Sequence, residues 1–156
     1  MSIAANAEPM GSVNSTRRVD VLLARYGASH TQATNELIHF FAIPAIMLSI
    51  VGLFYWVHPW LAYVFLAASF VYYLRLSLVF TASMVLVSIM LLWAVLAMGN
   101  WLLPLSVGIF VVAWIFQFIG HKLEGKKPSF FEDIQYLWVG PLFVLSKLFL
   151  KLGIKW

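Results

Sequence analysis

Residues 59–98 read PWLAYVFLAASFVYYLRLSLVFTASMVLVSIMLLWAVLAM, and over those forty positions Arg75 is the one charged side chain. A run this apolar is unsuited to water. It is also too long for one crossing, because about 20 helical residues at 1.5 Å each already span roughly 30 Å of hydrocarbon. Arg75, within Tyr72-Tyr73-Leu74-Arg75-Leu76-Ser77, marks the turning point at a headgroup surface. The run therefore splits into two transmembrane helices. On its N-terminal side Leu37 to Val57 is a further span. On its C-terminal side Gly99-Asn100 and Pro104 punctuate a reversal into Leu102 to Ile119. That last span ends near Glu124, with Gly125 as a left-handed cap and Pro128 beyond it. The expected fold is all-α, a polytopic membrane helical bundle with four transmembrane helices.

The two ends of the chain are read differently. Ile134 to Trp156 is apolar and long enough to cross, but Lys147, Lys151 and Lys155 recur every fourth residue and share one helical face. That spacing favours a C-terminal interfacial or re-entrant helix over a fifth crossing. Met1 to Thr16 is polar and rich in small residues, without the charged start and apolar core of a signal peptide. Residues 1–25 are expected to form a disordered cytoplasmic tail, and residues 26–156 a single membrane-embedded helical domain.

Composition narrows the function classes. Of 156 residues, 63% are hydrophobic and 10% charged, against about 25% charged in a soluble domain. With that length no separate catalytic domain fits, and a site must be built from helix ends, short connections and the bundle interior. The absence of cysteine removes disulfides, thiolate ligands and thiol nucleophiles. The net charge of +4 sits in clusters near the hydrophobic ends, which suits anionic lipid headgroups and not nucleic acid. Arg17, Arg18, Arg25, Arg75, Lys122, Lys126 and Lys127 all fall on one side, so the N-terminus is expected to be cytoplasmic. Trp56, Trp60 and Trp101 fall at the opposite connections, as an interfacial aromatic belt does.

This topology places three of four histidines at one depth. His30 and His39 flank the cytoplasmic entry of the first span and His121 its counterpart at the exit of the fourth, whereas His58 precedes Pro59 on the far side. Histidine is at home near headgroups, so the neighbours decide. Gln117, His121 and Glu124 follow i, i+4, i+7 spacing and make a polar stripe that lipid would solvate badly. Asn35 and His39 form a second stripe, and Pro44 removes the amide that would bond the Phe40 carbonyl, freeing an acceptor beside His39. His30 and His39 are half a turn out of phase on a continuous helix, so His30 joins only if the chain breaks between them. Thr31 or Thr34 would cap a helix starting there.

Two blocks carry a resemblance. The first is Tyr26-x3-His30-x4-Asn35-x-Leu37-Ile38-His39-x4-Pro44. The second, more specific, is Trp114-Ile115-Phe116-Gln117-Phe118-Ile119-Gly120-His121-x2-Glu124-x3-Pro128. The chain from Tyr26 onward resembles the membrane family of 2-hydroxy fatty acid dioxygenases. The resemblance implies an iron(II)-dependent α-oxidation that uses molecular oxygen as co-substrate to shorten a 2-hydroxy fatty acid by one carbon. Its expected iron ligands are His30, His39 and His121. It leaves His58 as an interfacial residue. Glu124 joins the three histidines as a catalytic candidate, and either Glu124 or Asn35 is expected to complete or orient the ligand set. Gln117 is expected to hold an outer hydrogen bond, and Arg75 or Lys122 to attract the substrate carboxylate. The expected partners are that substrate and membrane lipids. The setting would be the bacterial inner membrane in a bacterium or the endoplasmic reticulum in a eukaryote, and nothing in the sequence sets the number of protomers.

Three rival readings fit the same helices. A bis-histidine heme site would use His39 and His121 across the bundle. A di-iron desaturase needs about eight histidines in boxes, and this chain has four. A non-enzymatic lipid-binding or scaffold protein would leave the polar stripes without a task.

Overall fold

The computed structural model describes residues 17–28, 30–125 and 136–156. The tail up to residue 16 and the residues Lys126, Lys127, Pro128 and Ile134 lie outside the described residues. Among the described residues every element is helical: α1 (Arg18–Gly27), α2 (Ala33–Val57), α3 (Pro59–Leu74), α4 (Leu78–Ala97), a 3-10 turn (Gly99–Trp101), α5 (Leu102–Leu123) and α6 (Val139–Leu152). Three helices are long and apolar enough to cross a membrane, namely α2, α4 and the continuous unit Gly99–Leu123. The predicted division of the long apolar run holds, with Arg75 as the C-cap of α3 and Ser77 as the N-cap of α4. At 16 residues α3 is the shorter partner, rising about 24 Å.

The connections explain where each helix starts. His58 is the sole residue between α2 and α3. Its extended backbone and Nδ1, which accepts from Trp60 N at 3.3 Å, cap α3, and Pro59 fills the first position, where a missing amide costs nothing. His58 is exposed, as are Trp56, Trp60 and Trp101. Gly125 follows α5 with φ 73°, the left-handed conformation expected of it. The continuous α2 runs through Pro44.

The expected tail ends earlier than residue 25. From Arg18 the chain is already helical, because Val19, Leu23 and Tyr26 at i, i+4 and i+7 form an apolar stripe that is buried. This stripe packs against α6, whose own buried line is Val139, Leu142, Phe143, Ser146 and Phe149. Lys147 and Lys151 lie outside that line, as their spacing predicts. Lys147 Nζ pairs with Glu36 Oε1 of α2 at 2.7 Å. Trp138 Nε1 donates to Ser69 Oγ of α3 at 2.9 Å. After Gly153 turns with φ 68°, Trp156 Nε1 donates to Asp20 Oδ1 of α1 at 3.1 Å, and Asp20 also pairs with Arg17 at 2.7 Å. At 14 residues α6 is too short to cross unaided.

The central contact is α2 against α5, which pack along their length. Ala42 and Ile46 meet Ala113 and Trp114 midway. Toward the far end, a Cβ on Gly52 would lie 2.2 Å from Ser106 Oγ, so glycine is what lets the two backbones approach. Gly52→Ala is therefore expected to destabilise the detergent-solubilised protein by about 1 kcal/mol through overpacking. Adding Ser106→Ala should recover most of that loss. Thermal unfolding of the single and double variants checks this, and an uncompensated double variant would refute it.

Candidate metal centre

The break between α1 and α2 decides the site. α1 ends at Gly27 and α2 starts at Ala33, so His30 sits on a non-helical connection and is released from the helical phase that would separate it from His39. The rings of His30 and His39 lie 4.3 Å apart between centroids, those of His39 and His121 5.2 Å, and those of His30 and His121 5.9 Å. All three are buried, and a ligand nitrogen from each lies within 4.8 Å of the others. Among the described residues this is the one group of three or more potential ligands so placed.

Hydrogen bonds fix which nitrogen faces inward. His30 Nδ1 donates to the Tyr26 carbonyl at 2.8 Å, and His39 Nδ1 donates to the Asn35 carbonyl at 2.9 Å. With the proton on Nδ1, Nε2 keeps its lone pair, the tautomer a metal-binding imidazole needs. His39 thus uses the carbonyl four residues back, and not the one that Pro44 frees at Phe40, whose side chain is exposed. Tyr26 stacks on His30 at 4.2 Å with 12° between planes, and Phe143 of α6 packs on Tyr26 at 5.0 Å, so the α1–α6 pair forms the wall behind His30. Three imidazoles so placed suit a first-row divalent ion with coordination positions left over for other ligands. The third ring sets this cluster apart from a bis-histidine heme arrangement, which calls on two axial imidazoles.

Glu124 is brought to the site's rim instead of into the histidine cluster. Its Oε1 accepts from Thr31 N at 2.7 Å and from Thr31 Oγ1. Its Oε2 accepts from Gln32 N at 3.1 Å and Asn35 Nδ2 at 2.9 Å. A side chain from the C-terminal end of α5 therefore caps the start of α2. The cap expected from Thr31 or Thr34 is absent, and Gln32 is the N-cap residue. Desolvation pushes the Glu124 carboxyl up, but the donors on Thr31, Asn35 and Gln32 outweigh it and hold the pKa at about 2, against an ordinary 4.5.

Asn35 is fully buried, and its Oδ1 rests against Gly120, where a Cβ would come within 2.3 Å of that oxygen and 3.4 Å of His39 Cε1. Gly120 was not singled out as a site residue. Its one sequence signal is its place before His121. Gln117 is buried one turn from His121. Arg75 and Lys122 are both exposed, Arg75 in the α3–α4 turn and Lys122 beside His121. A separate groove of about 680 Å³, wholly apolar, runs along the flanks of α2 and α5 between Leu37, Phe41, Leu105 and Val112. None of the three histidines lines it.

Comparison with known proteins adds a family to this geometry. A family model described as "2-hydroxy-palmitic acid dioxygenase Mpo1-like" matches residues 16–152. The 2-hydroxy-palmitic acid dioxygenase MPO1 of Saccharomyces cerevisiae is 28% identical over 138 residues, which cover 84% of this chain and 79% of that protein. No solved structure matches.

Two outcomes follow from the rim. Because Glu124 has a lowered pKa in the folded state, its contribution is complete above about 4.5 and is lost as pH falls through about 2. Thermal unfolding between those limits should show an acid slope in the parent that is reduced in Glu124→Gln, which should itself be less stable at neutral pH. Equal slopes would show that another group titrates. Gly120→Ala displaces Asn35 and is expected to weaken iron(II) or cobalt(II) binding about 10–100-fold, the range typical of lost outer support. Metal titration followed by cobalt absorbance checks this.

Proposed function

Because the chain belongs to the Mpo1-like family, we propose that it is an iron(II)-dependent dioxygenase of the membrane that shortens a long-chain 2-hydroxy fatty acid by one carbon. The observation that carries this reading is the convergence of His30, His39 and His121, buried, with ligand nitrogens within 4.8 Å of one another. In the balanced reaction, a 2-hydroxy acid and dioxygen give the acid one carbon shorter, carbon dioxide and water. The C1–C2 bond breaks, C2 becomes the new carboxyl carbon, and the four electrons released reduce dioxygen.

Iron(II) held by the three histidines would supply the activation of dioxygen and the chelation of the 2-hydroxy carboxylate. The protein's own contribution is positional. The Tyr26 and Asn35 carbonyls set the tautomers of His30 and His39, so both rings present a lone pair without reorganising. Glu124 acts as a positioning residue. By joining Thr31, Gln32 and Asn35 it clamps the segment that carries His30 and His39 to the helix that carries His121. Burial of all three rings keeps bulk water from the reacting groups. Arg75 and Lys122, on the same end of the bundle, supply positive potential toward an incoming carboxylate. The alkyl chain enters laterally from the bilayer, so no aqueous tunnel is required.

The same reading sets the topology. Arg17, Arg18, Arg25, Arg75 and Lys122 occupy one end, so the N-terminus and the metal centre face the cytoplasm. Between its one-residue and three-residue connections, α3 makes the fourth crossing, and α6 lies at the interface with Lys147 and Lys151 toward the headgroups.

The deciding experiment is oxygen uptake and mass spectrometry on purified protein loaded anaerobically with iron(II) and given a 2-hydroxy C16 acid. A C15 acid is expected from the parent, with product falling more than about 100-fold in His39→Ala and His121→Ala, beyond the usual cost of outer-shell changes. Product from both variants at the parent rate would remove these histidines from the reaction, whereas no product from a folded, iron-loaded parent favours a non-enzymatic lipid-binding role.

A further inference from the structure

A second, much smaller cavity of about 20 Å³ is lined by Tyr26, Ile43, Ile46, Trp114, Gln117 and Tyr136, among others. Its walls continue the faces that carry the three rings. Tyr26 is stacked on His30, Ile43 and Ile46 lie one and two turns from His39, and Gln117 and Trp114 lie one and two turns from His121. The volume suits one water-sized group, since about 10–15 Å³ is the least that admits a water. It is far too small for a carboxylate with its chain. Gln117 is 4% exposed, and its Oε1 has no hydrogen-bond partner among the described residues. A buried amide oxygen left this way is costly unless some O–H or N–H donor meets it.

We propose that Gln117 reads the 2-hydroxyl of the substrate, its Oε1 accepting the hydroxyl proton inside this cavity. The inference rests on the reading of the site as a 2-hydroxy acid oxidase and adds the residue that tells a 2-hydroxy acid from an ordinary fatty acid. Three features favour a hydroxyl: the cavity admits a single oxygen, Gln117 brings to its wall a buried acceptor that no donor meets, and Tyr26, stacked on His30, shares that wall. A resident water has the same chemistry, and the substrate hydroxyl displaces it on binding. An acid with hydrogen at C2 leaves Oε1 without that donor, and sites built to hydrogen-bond a hydroxyl reject such analogues strongly.

The test compares equilibrium binding of 2-hydroxy and 2-fluoro C16 acids to the iron(II)-loaded protein without oxygen, read by intrinsic fluorescence. Fluorine matches the hydroxyl in size but donates no hydrogen bond. Gln117→Met keeps the side-chain length and removes the acceptor. The preference for the hydroxy acid over the fluoro acid should fall about 10–100-fold in the variant, with iron content and binding of the fluoro acid unchanged. If that variant does not fold, Gln117→Leu, which also removes the acceptor, carries the same comparison, because chelation by iron(II) alone already makes the parent prefer the hydroxy acid. An unchanged preference in the variant, or equal weakening of both acids, would overturn the role of Gln117 alone. A parent that neither binds the hydroxy acid nor takes up oxygen with it would overturn the functional reading as well.

Discussion

Hydrocarbon gives two apolar helices no reason to associate, since a lipid tail solvates leucine as well as another leucine does. α2 and α5 are nevertheless held together, and everything else in the bundle depends on how. Small residues let the backbones close at Gly52 against Ser106, at Ala42 against Ala113, and at Gly120 against Asn35. The polar end is then fastened by one carboxylate, Glu124, which takes donors from Thr31, Gln32 and Asn35. His39 projects from one of these helices and His121 from the other, so the spacing of these two imidazoles is a direct readout of this helix pair.

The third imidazole, His30, belongs to a different layer. α1 has ten residues and α6 fourteen, lengths at which isolated helices are marginal. They are stabilised by burying their apolar stripes against each other and by polar ties: Trp156 and Arg17 to Asp20, Lys147 to Glu36, and Trp138 to Ser69. Through Tyr26 and Phe143 this outer layer backs His30. The centre thus joins two ligands on a rigid pair of helices to one on a connection, and local opening of α1 would release His30 first.

Much of this was legible in the residues because the bilayer enforces simple rules. Arg75 had to mark a turn, the long apolar runs had to be helices, and the polar stripes of Asn35 with His39 and of Gln117 with His121 had to face inward. What was not legible depended on distance between segments. The stripe of Val19, Leu23 and Tyr26 is three residues long, and its meaning depends on α6 lying opposite, so the N-terminal segment read as tail. Gly120 reads as an ordinary helical glycine until Asn35 is placed against it. Glu124 entered as a catalytic candidate that would complete or orient the ligand set, and only the approach of Thr31 and Gln32 shows that backbone amides occupy it. His30 depended on a chain break that the sequence permits but does not require.

The order in which the ligands occur along the chain has a consequence for biosynthesis. His30 and His39 leave the ribosome early, whereas His121 and Glu124 follow some eighty residues later on the last long span. Until that span is inserted, α2 has neither its cap nor its packing partner, and two imidazoles stand at the membrane surface without the third. Assembly of the centre therefore reports completion of the bundle: a chain stalled or truncated before α5 inserts cannot bring the three histidines together, however well its earlier helices have entered the bilayer.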